Sequence, residues 1–143
     1  MSLYAGQDRE SLRAAWREAW RRRVDGLPLE PLQAQMAELI GMHPEYQPRM
    51  QQTAPGTTAD AAAPHDGGNA FLHLSLHLAL REQLATNRPA GIGQVHQRLC
   101  ATLGDTHAAE HRMIEVLGQT LWEAQRAGRM PDEHQYLDAL RRL

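Results

Sequence analysis

The segment FLHLSLHLALRE, residues 71–82, decides the fold class of this chain. Its leucines cover most of the circumference of a helix, and a helix that is apolar nearly all round is buried by its neighbours. His73 and His77 are four residues apart, so at 100° per residue they lie about 40° apart on one face. The segment therefore predicts a central helix, ending near Thr86, whose two histidines point into the protein.

Further helical segments precede and follow this one. Each starts or stops at a capping residue, a proline or a glycine, and the predicted bounds are about 8–24, 31–40, 91–103 and 105–127, with a short last helix from Pro131. Runs of β-branched residues, which are typical of strands, are missing. We therefore predict an all-α fold, a compact bundle of about five to six helices.

The chain of 143 residues fits one helical domain with one core, residues 1–143. The segment between the second and third predicted helices, residues 47–68, is rich in Gln, Thr, Ala, Pro and Gly and lacks Leu, Ile, Val and aromatic residues. Such a segment buries too little apolar surface to order itself. We predict a long, irregular, mobile loop over residues 47–68.

Composition and charge exclude several classes of protein. The formal net charge is −2, so no overall positive field attracts nucleic acid. No run approaches the roughly 18 apolar residues of a membrane span. A lone cysteine, Cys100, excludes an intramolecular disulfide and fits a reducing compartment. We therefore expect a cytoplasmic protein that binds neither nucleic acid nor membranes.

The predicted fifth helix repeats the histidine spacing of the third. His107 and His111 lie at the edge of its apolar stripe, Glu110 falls within the stripe, and Glu115 lies just beyond it. A carboxylate in an apolar stripe is unfavourable unless a positive or hydrogen-bonding group meets it. A metal ion or a histidine proton would meet that requirement.

Two helices that each carry His-x-x-x-His offer four imidazole nitrogens, and bundle cores build metal sites from side chains on facing helices. Imidazole-rich ligation favours Zn, Fe, Ni or Cu over Mg or Ca. The carboxylates would act as ligands, as groups that orient the histidines, or as a general base. This hypothesis describes a metal-binding hydrolase or oxidoreductase whose predicted site consists of His73, His77, His107, His111, Glu110 and Glu115.

An alternative interpretation needs no metal. The same histidines would form a buried hydrogen-bond network with Glu110 that fixes the register of the helices. The protein would then be a non-catalytic structural or interaction module, such as a homodimer that pairs through the long fifth helix. Convergence of the imidazoles on one point would favour the metal site over this alternative.

Two further histidines have weaker interpretations. We expect His96 to be a surface or packing residue rather than a ligand, whereas His43 follows a helix end and either turns over the end of the bundle or has no special role. The chain has no nucleophile elbow, no phosphate-binding glycine-rich loop and no Cys-x-x-Cys pair. The sequence therefore leaves open whether any reaction is catalysed.

Three motifs carry a resemblance to a known family. They are His43-Pro44-Glu45-Tyr46, then Asn69-x-Phe71-Leu72-His73-x-x-x-His77-Leu78-Ala79-x-Arg81-Glu82-Gln83, and Leu121-Trp122-Glu123-Ala124-Gln125-Arg126. On these motifs nearly the whole chain resembles a bacterial family of unknown function, the domain of unknown function 1841. The resemblance implies no activity. The family pattern has histidine where this chain has Gln47 and proline where it has Ala70, so a metal site that used that histidine would be altered here.

Overall fold

The computed structural model describes residues 6–51 and 70–143, with side chains from Glu10 onward in the first range. Within these ranges all regular structure is helical, which confirms the predicted all-α fold. None of these helices has both the length and the apolar character that crossing a bilayer requires. The described part of the chain contains seven α-helices and a short 3-10 helix: α1 (Gly6–Val24), α2 (Pro31–Gly41), the 3-10 helix (Pro44–Tyr46), α3 (Gln47–Met50), α4 (Ala70–Thr86), α5 (Ile92–Leu103), α6 (Thr106–Ala127) and α7 (Glu133–Arg141).

Two predicted boundaries are wrong. The predicted loop is wrong over residues 47–50, because they form α3 directly after the 3-10 helix and the side chain of Met50 is buried. Residues 52–68 of that predicted loop lie outside the described residues. The last helix starts at Glu133 rather than at Pro131, because the carboxylate of Asp132 accepts hydrogen bonds from two backbone N–H groups of its first turn.

The contacts divide the chain into two compact units, Met1–Ser75 and Leu76–Leu143. The prediction of one domain over residues 1–143 stays a prediction. The division falls inside α4, so His73 belongs to the first unit and His77 to the second.

In the first unit α1 packs against α2. Trp16 and Ala19 of α1 are buried, as are the α2 side chains Met36, Leu39 and Ile40. Pro31 opens α2, and a capping box between Glu30 and Gln33 satisfies its first backbone groups. The start of α4 is held near α1 because the guanidinium groups of Arg13 and Arg17 lie 5.5 and 5.2 Å from the centroid of the Phe71 ring.

In the second unit the rest of α4 contributes to an apolar core with α5, α6 and α7. Asp105 caps α6 by accepting a hydrogen bond from the backbone N–H of His107, and Gly128 ends it at a φ of 67° that favours glycine. The core residues alternate with polar ones at helical spacing, and they are Leu80, Ile92, Val95, Leu99, Ala109, Met113, Ile114, Leu117, Tyr136, Leu137 and Leu140. Leu121, which lies one turn after Leu117 on α6, is exposed.

Helix α4, from which the all-α fold was predicted, is less completely buried than its leucines suggest. Phe71, Leu74, His77 and Leu80 of α4 are buried, but Leu72 is 58 % exposed. One face of α4 therefore meets solvent, and His77 lies on the buried side.

Candidate metal centre

In the first unit, a buried corner forms around His43, the residue that precedes the 3-10 helix. Its side chain is fully buried, and its ring stacks on the ring of Tyr46 with 5.4 Å between centroids and 11° between planes. The ring of His73 meets both edge-on, at 4.9 Å from His43 and 5.7 Å from Tyr46. Burial raises the pKa of Tyr46 above its usual value, so its hydroxyl is neutral at ordinary pH.

The hydrogen bonds of His43 define which nitrogen carries its lone pair. Nδ1 of His43 lies 2.7 Å from the carbonyl oxygen of Leu39. Because a carbonyl only accepts, Nδ1 carries the hydrogen and donates it, and a neutral ring then has its lone pair on Nε2. That Nε2 lies 3.1 Å from Nε2 of His73. The two nitrogens are joined either by an N–H hydrogen that a neutral His73 donates from its Nε2 or by a cation that both lone pairs bind.

In the second unit, the carboxylate of Glu110 collects three donors. Glu110 lies on α6 and is only 3 % exposed. Its Oε1 accepts hydrogen bonds from Nε2 of His77 at 2.7 Å and from Nε of Arg81 at 3.3 Å, and its Oε2 accepts from Nε2 of His96 at 3.0 Å. The carboxylate that the sequence places in an apolar stripe is therefore met by positive and hydrogen-bonding groups from α4 and α5.

These contacts fix the ionisation of Glu110. Burial by itself would raise the pKa of Glu110, but hydrogen bonds from His77 and His96 and the positive charge of Arg81 outweigh it and lower the pKa to about 2. An ionised carboxylate only accepts, so His77 and His96 both donate through Nε2. A neutral His77 ring therefore carries its lone pair on Nδ1.

Two histidines of α6 lie beside His77. The ring of His77 is 5.8 Å from the ring of His107 and 5.8 Å from that of His111, at steep angles of 77° and 75°. The rings of His107 and His111 are 4.1 Å apart, one helical turn from each other. His77 is fully buried, whereas His107 and His111 are half-buried.

The structure thus assembles most of the residues that the sequence singled out. In the second unit His77, His107, His111 and Glu110 are neighbours. Glu115 is exposed and instead lines a surface groove of about 500 Å³ along α6 and α7. Its place five residues after Glu110 turns it about 140° around the helix, away from that carboxylate.

The sequence analysis did not assign His96 or His43 to the site. His96 is a hydrogen-bond donor to Glu110 rather than a simple surface or packing residue, and it lies beside Cys100, whose Sγ is 3.6 Å from its Nε2. His43 is fully buried rather than a turn residue without a role. The signal that could have found His43 was the compact His43-Pro44-Glu45-Tyr46 motif, which is the segment that forms the corner.

Comparison with known proteins gives a family. Residues 8–142 match a family model described as a domain of unknown function, DUF1841. This match confirms the resemblance that the three sequence motifs indicated. Neither a curated protein nor a solved structure matches the chain.

Proposed function

We propose that this chain, which belongs to the DUF1841 family, is a metal-binding protein that holds one divalent transition-metal ion on histidine side chains. The proposed ligands are His43, His73, His77 and His111. The observation that carries the proposal is the 3.1 Å approach of two imidazole nitrogens, Nε2 of His43 and Nε2 of His73. The lone pair of His43 is already directed there by the bond to Leu39.

The separation of these two nitrogens suits metal ligands. Nitrogens that each lie about 2.0–2.1 Å from a tetrahedral ion are roughly 3.3 Å from each other. The distance of 3.1 Å between His43 and His73 is close to that value. A small adjustment of two side chains would therefore accommodate an ion.

The outer nitrogens of the rings support the same proposal. Histidines that bind metals almost always donate their other ring N–H to a carboxylate or a backbone carbonyl, which fixes the tautomer and orients the ring. His43 does so through Nδ1 to the carbonyl of Leu39, and His77 does so through Nε2 to Glu110. We assign Glu110 the role of orienting His77, because both of its oxygens already accept hydrogen bonds from protein donors.

Helix α4 links the two groups of histidines in this proposal. His73 and His77 lie one turn apart on one continuous helix, and residues at that spacing are neighbours on its surface. His43 meets His73 in the first unit, and His111 lies beside His77 in the second. We propose His43, His73, His77 and His111 as the ligands of one ion, and imidazole ligation favours Zn, Fe, Ni or Cu.

Metal titration of the chelator-treated protein tests this function. We expect the full chain to bind about one Co²⁺ or Zn²⁺ per molecule, since the proposal comprises a single site with four nitrogens. His43→Gln and His77→Gln should each weaken binding by at least about 100-fold, because removing a ligand has a larger effect than removing the group that orients it. His134→Gln is the matched control, because His134 is exposed on α7.

A matched pair on α6 sharpens the test. His111→Gln should weaken metal binding more than His107→Gln, since His111 belongs to the proposed ligand group and His107 does not. Equal affinities for the wild-type, His43→Gln and His134→Gln proteins would contradict the proposal. That result would favour the alternative in which the histidines form only a hydrogen-bond network.

A second candidate function, pairing of two copies of the chain, is favoured by one observation. Leu121 and Trp122 on α6 are 41 % and 53 % exposed, although both are large apolar side chains. Exposed apolar surface on a long helix is typical of an interaction face. Light scattering tests this candidate: a dimer that Trp122→Glu converts to a monomer would support it, and a wild-type monomer at high concentration would contradict it.

A further inference from the structure

We infer that the proposed metal centre, once loaded, binds a small anion as its external ligand. This inference rests on the metal-binding function proposed above and adds the chemical class of what the ion would take. It follows from the charges that surround the histidines.

The protein groups at the centre leave the charge of the ion uncompensated. Histidines bind metals as neutral imidazoles, and among the described residues the proposed ligand group contains no carboxylate. A divalent ion held by these residues would therefore keep both of its positive charges.

Glu110 does not change this balance. Its single negative charge is matched by the guanidinium of Arg81, whose Nε lies 3.3 Å from Oε1. The ion, Glu110 and Arg81 together carry a net charge of about +2 when the imidazoles are neutral. Because His43 and His77 are fully buried, this charge would lie where water screens it poorly, and a negatively charged ligand would be strongly favoured.

An external ligand also needs a position on the ion and a way to reach it. Zinc sites can expand to five ligands, and several other transition ions accept further ligands beyond four. His73 and His111 are half-buried, in contrast to His43 and His77. We therefore expect the anion to reach the ion past one of these two less buried rings.

Substitutions of Arg81 can test the role of charge in anion binding. It lies on α4 one turn beyond His77, so the helix presents His73, His77 and Arg81 along one face. Arg81→Gln would remove the charge that balances Glu110 and reduce the net charge of the loaded centre by one. Arg81→Lys would keep that charge and is the matched control.

The experiment is a titration of the Co²⁺-loaded full chain with azide, followed by the visible absorption of Co²⁺. We expect azide to cause a saturable change in the spectrum. Acetate, which is also an anion, should change the spectrum too, whereas its neutral isostere acetamide should not. Arg81→Gln should weaken azide binding by about tenfold, which is the scale for one charge removed near a partly buried ion, and Arg81→Lys should stay close to wild type. Elemental analysis of each sample establishes that the cobalt stays bound.

Each contrary result has a distinct meaning. An unchanged spectrum in saturating azide, with one cobalt still bound per chain, would overturn this inference and leave the metal-binding function standing. Failure of the wild-type chain to bind cobalt would overturn both. Equal loss of azide binding in Arg81→Gln and Arg81→Lys would overturn the electrostatic account, because only one of these changes alters the charge.

Discussion

Two histidines are fully buried among residues 10–51 and 70–143, His43 in the first unit and His77 in the second, and different kinds of partner orient them. His43 donates to a neutral backbone carbonyl, that of Leu39, whereas His77 donates to the ionised carboxylate of Glu110. A backbone carbonyl has no titratable state, but a carboxylate has a charge that must be balanced. The second unit should therefore respond to pH and to mutation of one side chain, whereas the orientation of His43 should not.

Removing the carboxylate should have the largest effect. Glu110→Ala should destabilise the metal-free protein by about 3–5 kcal/mol, the range for breaking a buried ion pair by removing one partner, because Arg81, His77 and His96 lose their common acceptor. Urea unfolding in the presence of a chelator measures this loss. Glu115→Ala is the matched control and should change stability by less than about 0.5 kcal/mol, since Glu115 is exposed. Similar losses in the two variants would mean that the buried contacts of Glu110 contribute no more to stability than an exposed carboxylate does.

Acid should reproduce much of that effect without a change of side-chain volume. The pKa of Glu110 is lowered from 4.5 to about 2, so its stabilising contribution is fully present above pH 4.5 and is lost as the pH falls toward 2. The loss for the metal-free wild type should be about 3 kcal/mol on the linkage scale. Glu110→Gln should lack this part of the pH dependence, and identical slopes in the two proteins below pH 4.5 would contradict the assignment.

The expected loss in the free energy of metal binding is smaller than these losses in stability when only Glu110, the group that orients His77, is changed. Glu110→Gln should weaken Co²⁺ binding by about 10–100-fold, the usual effect of losing the partner of a metal-bound histidine. This loss should be smaller than that of His77→Gln, which removes the ligand itself. Affinities that fall in the opposite order would mean that Glu110 binds the metal directly.

The smallest effect is expected in the first unit. Tyr46→Phe keeps the ring that stacks on His43 and should leave metal affinity within about twofold, since no charge or ligand is lost. Because burial raises the pKa of Tyr46 above 10, its stabilising contribution is present below pH 10 and is lost as the pH rises above that value. Thermal unfolding between pH 8 and 11 should therefore show a shallower decline for Tyr46→Phe, and a steeper decline would contradict this.

Much of the fold could be predicted from local sequence signals. Asp105 and Gly128 delimit α6 within a residue or two of the predicted bounds, because capping and a positive φ are local requirements. The predicted start of the last helix was wrong because Pro131 and Asp132 both suit a helix start. In the structure the carboxylate of Asp132 makes the capping hydrogen bonds, so the helix begins at Glu133. The short α3 was not predicted because Met50 is its single buried apolar side chain. The average composition of the polar segment around Met50 does not reveal one such residue.

Only the part of the candidate site that lies on the faces of long helices could be predicted from the sequence. The positions of His77 and Glu110 on their helices placed both side chains on buried faces, and the 2.7 Å bond between them agrees with that reasoning. The contact between His43 and His73 joins residues 30 positions apart, and no local pattern specifies such a pairing. His96 was underestimated for the same reason, since its partner Glu110 lies on the following helix.

X-ray absorption spectroscopy of the metal-loaded protein reports the atoms bound to the ion, so it measures the proposed histidine ligation itself. The account predicts about four nitrogen ligands near 2.0–2.1 Å with the outer scattering of imidazole rings, and no sulfur at roughly 2.3 Å. A shell made only of oxygen atoms, or one that includes the sulfur of Cys100, would contradict it.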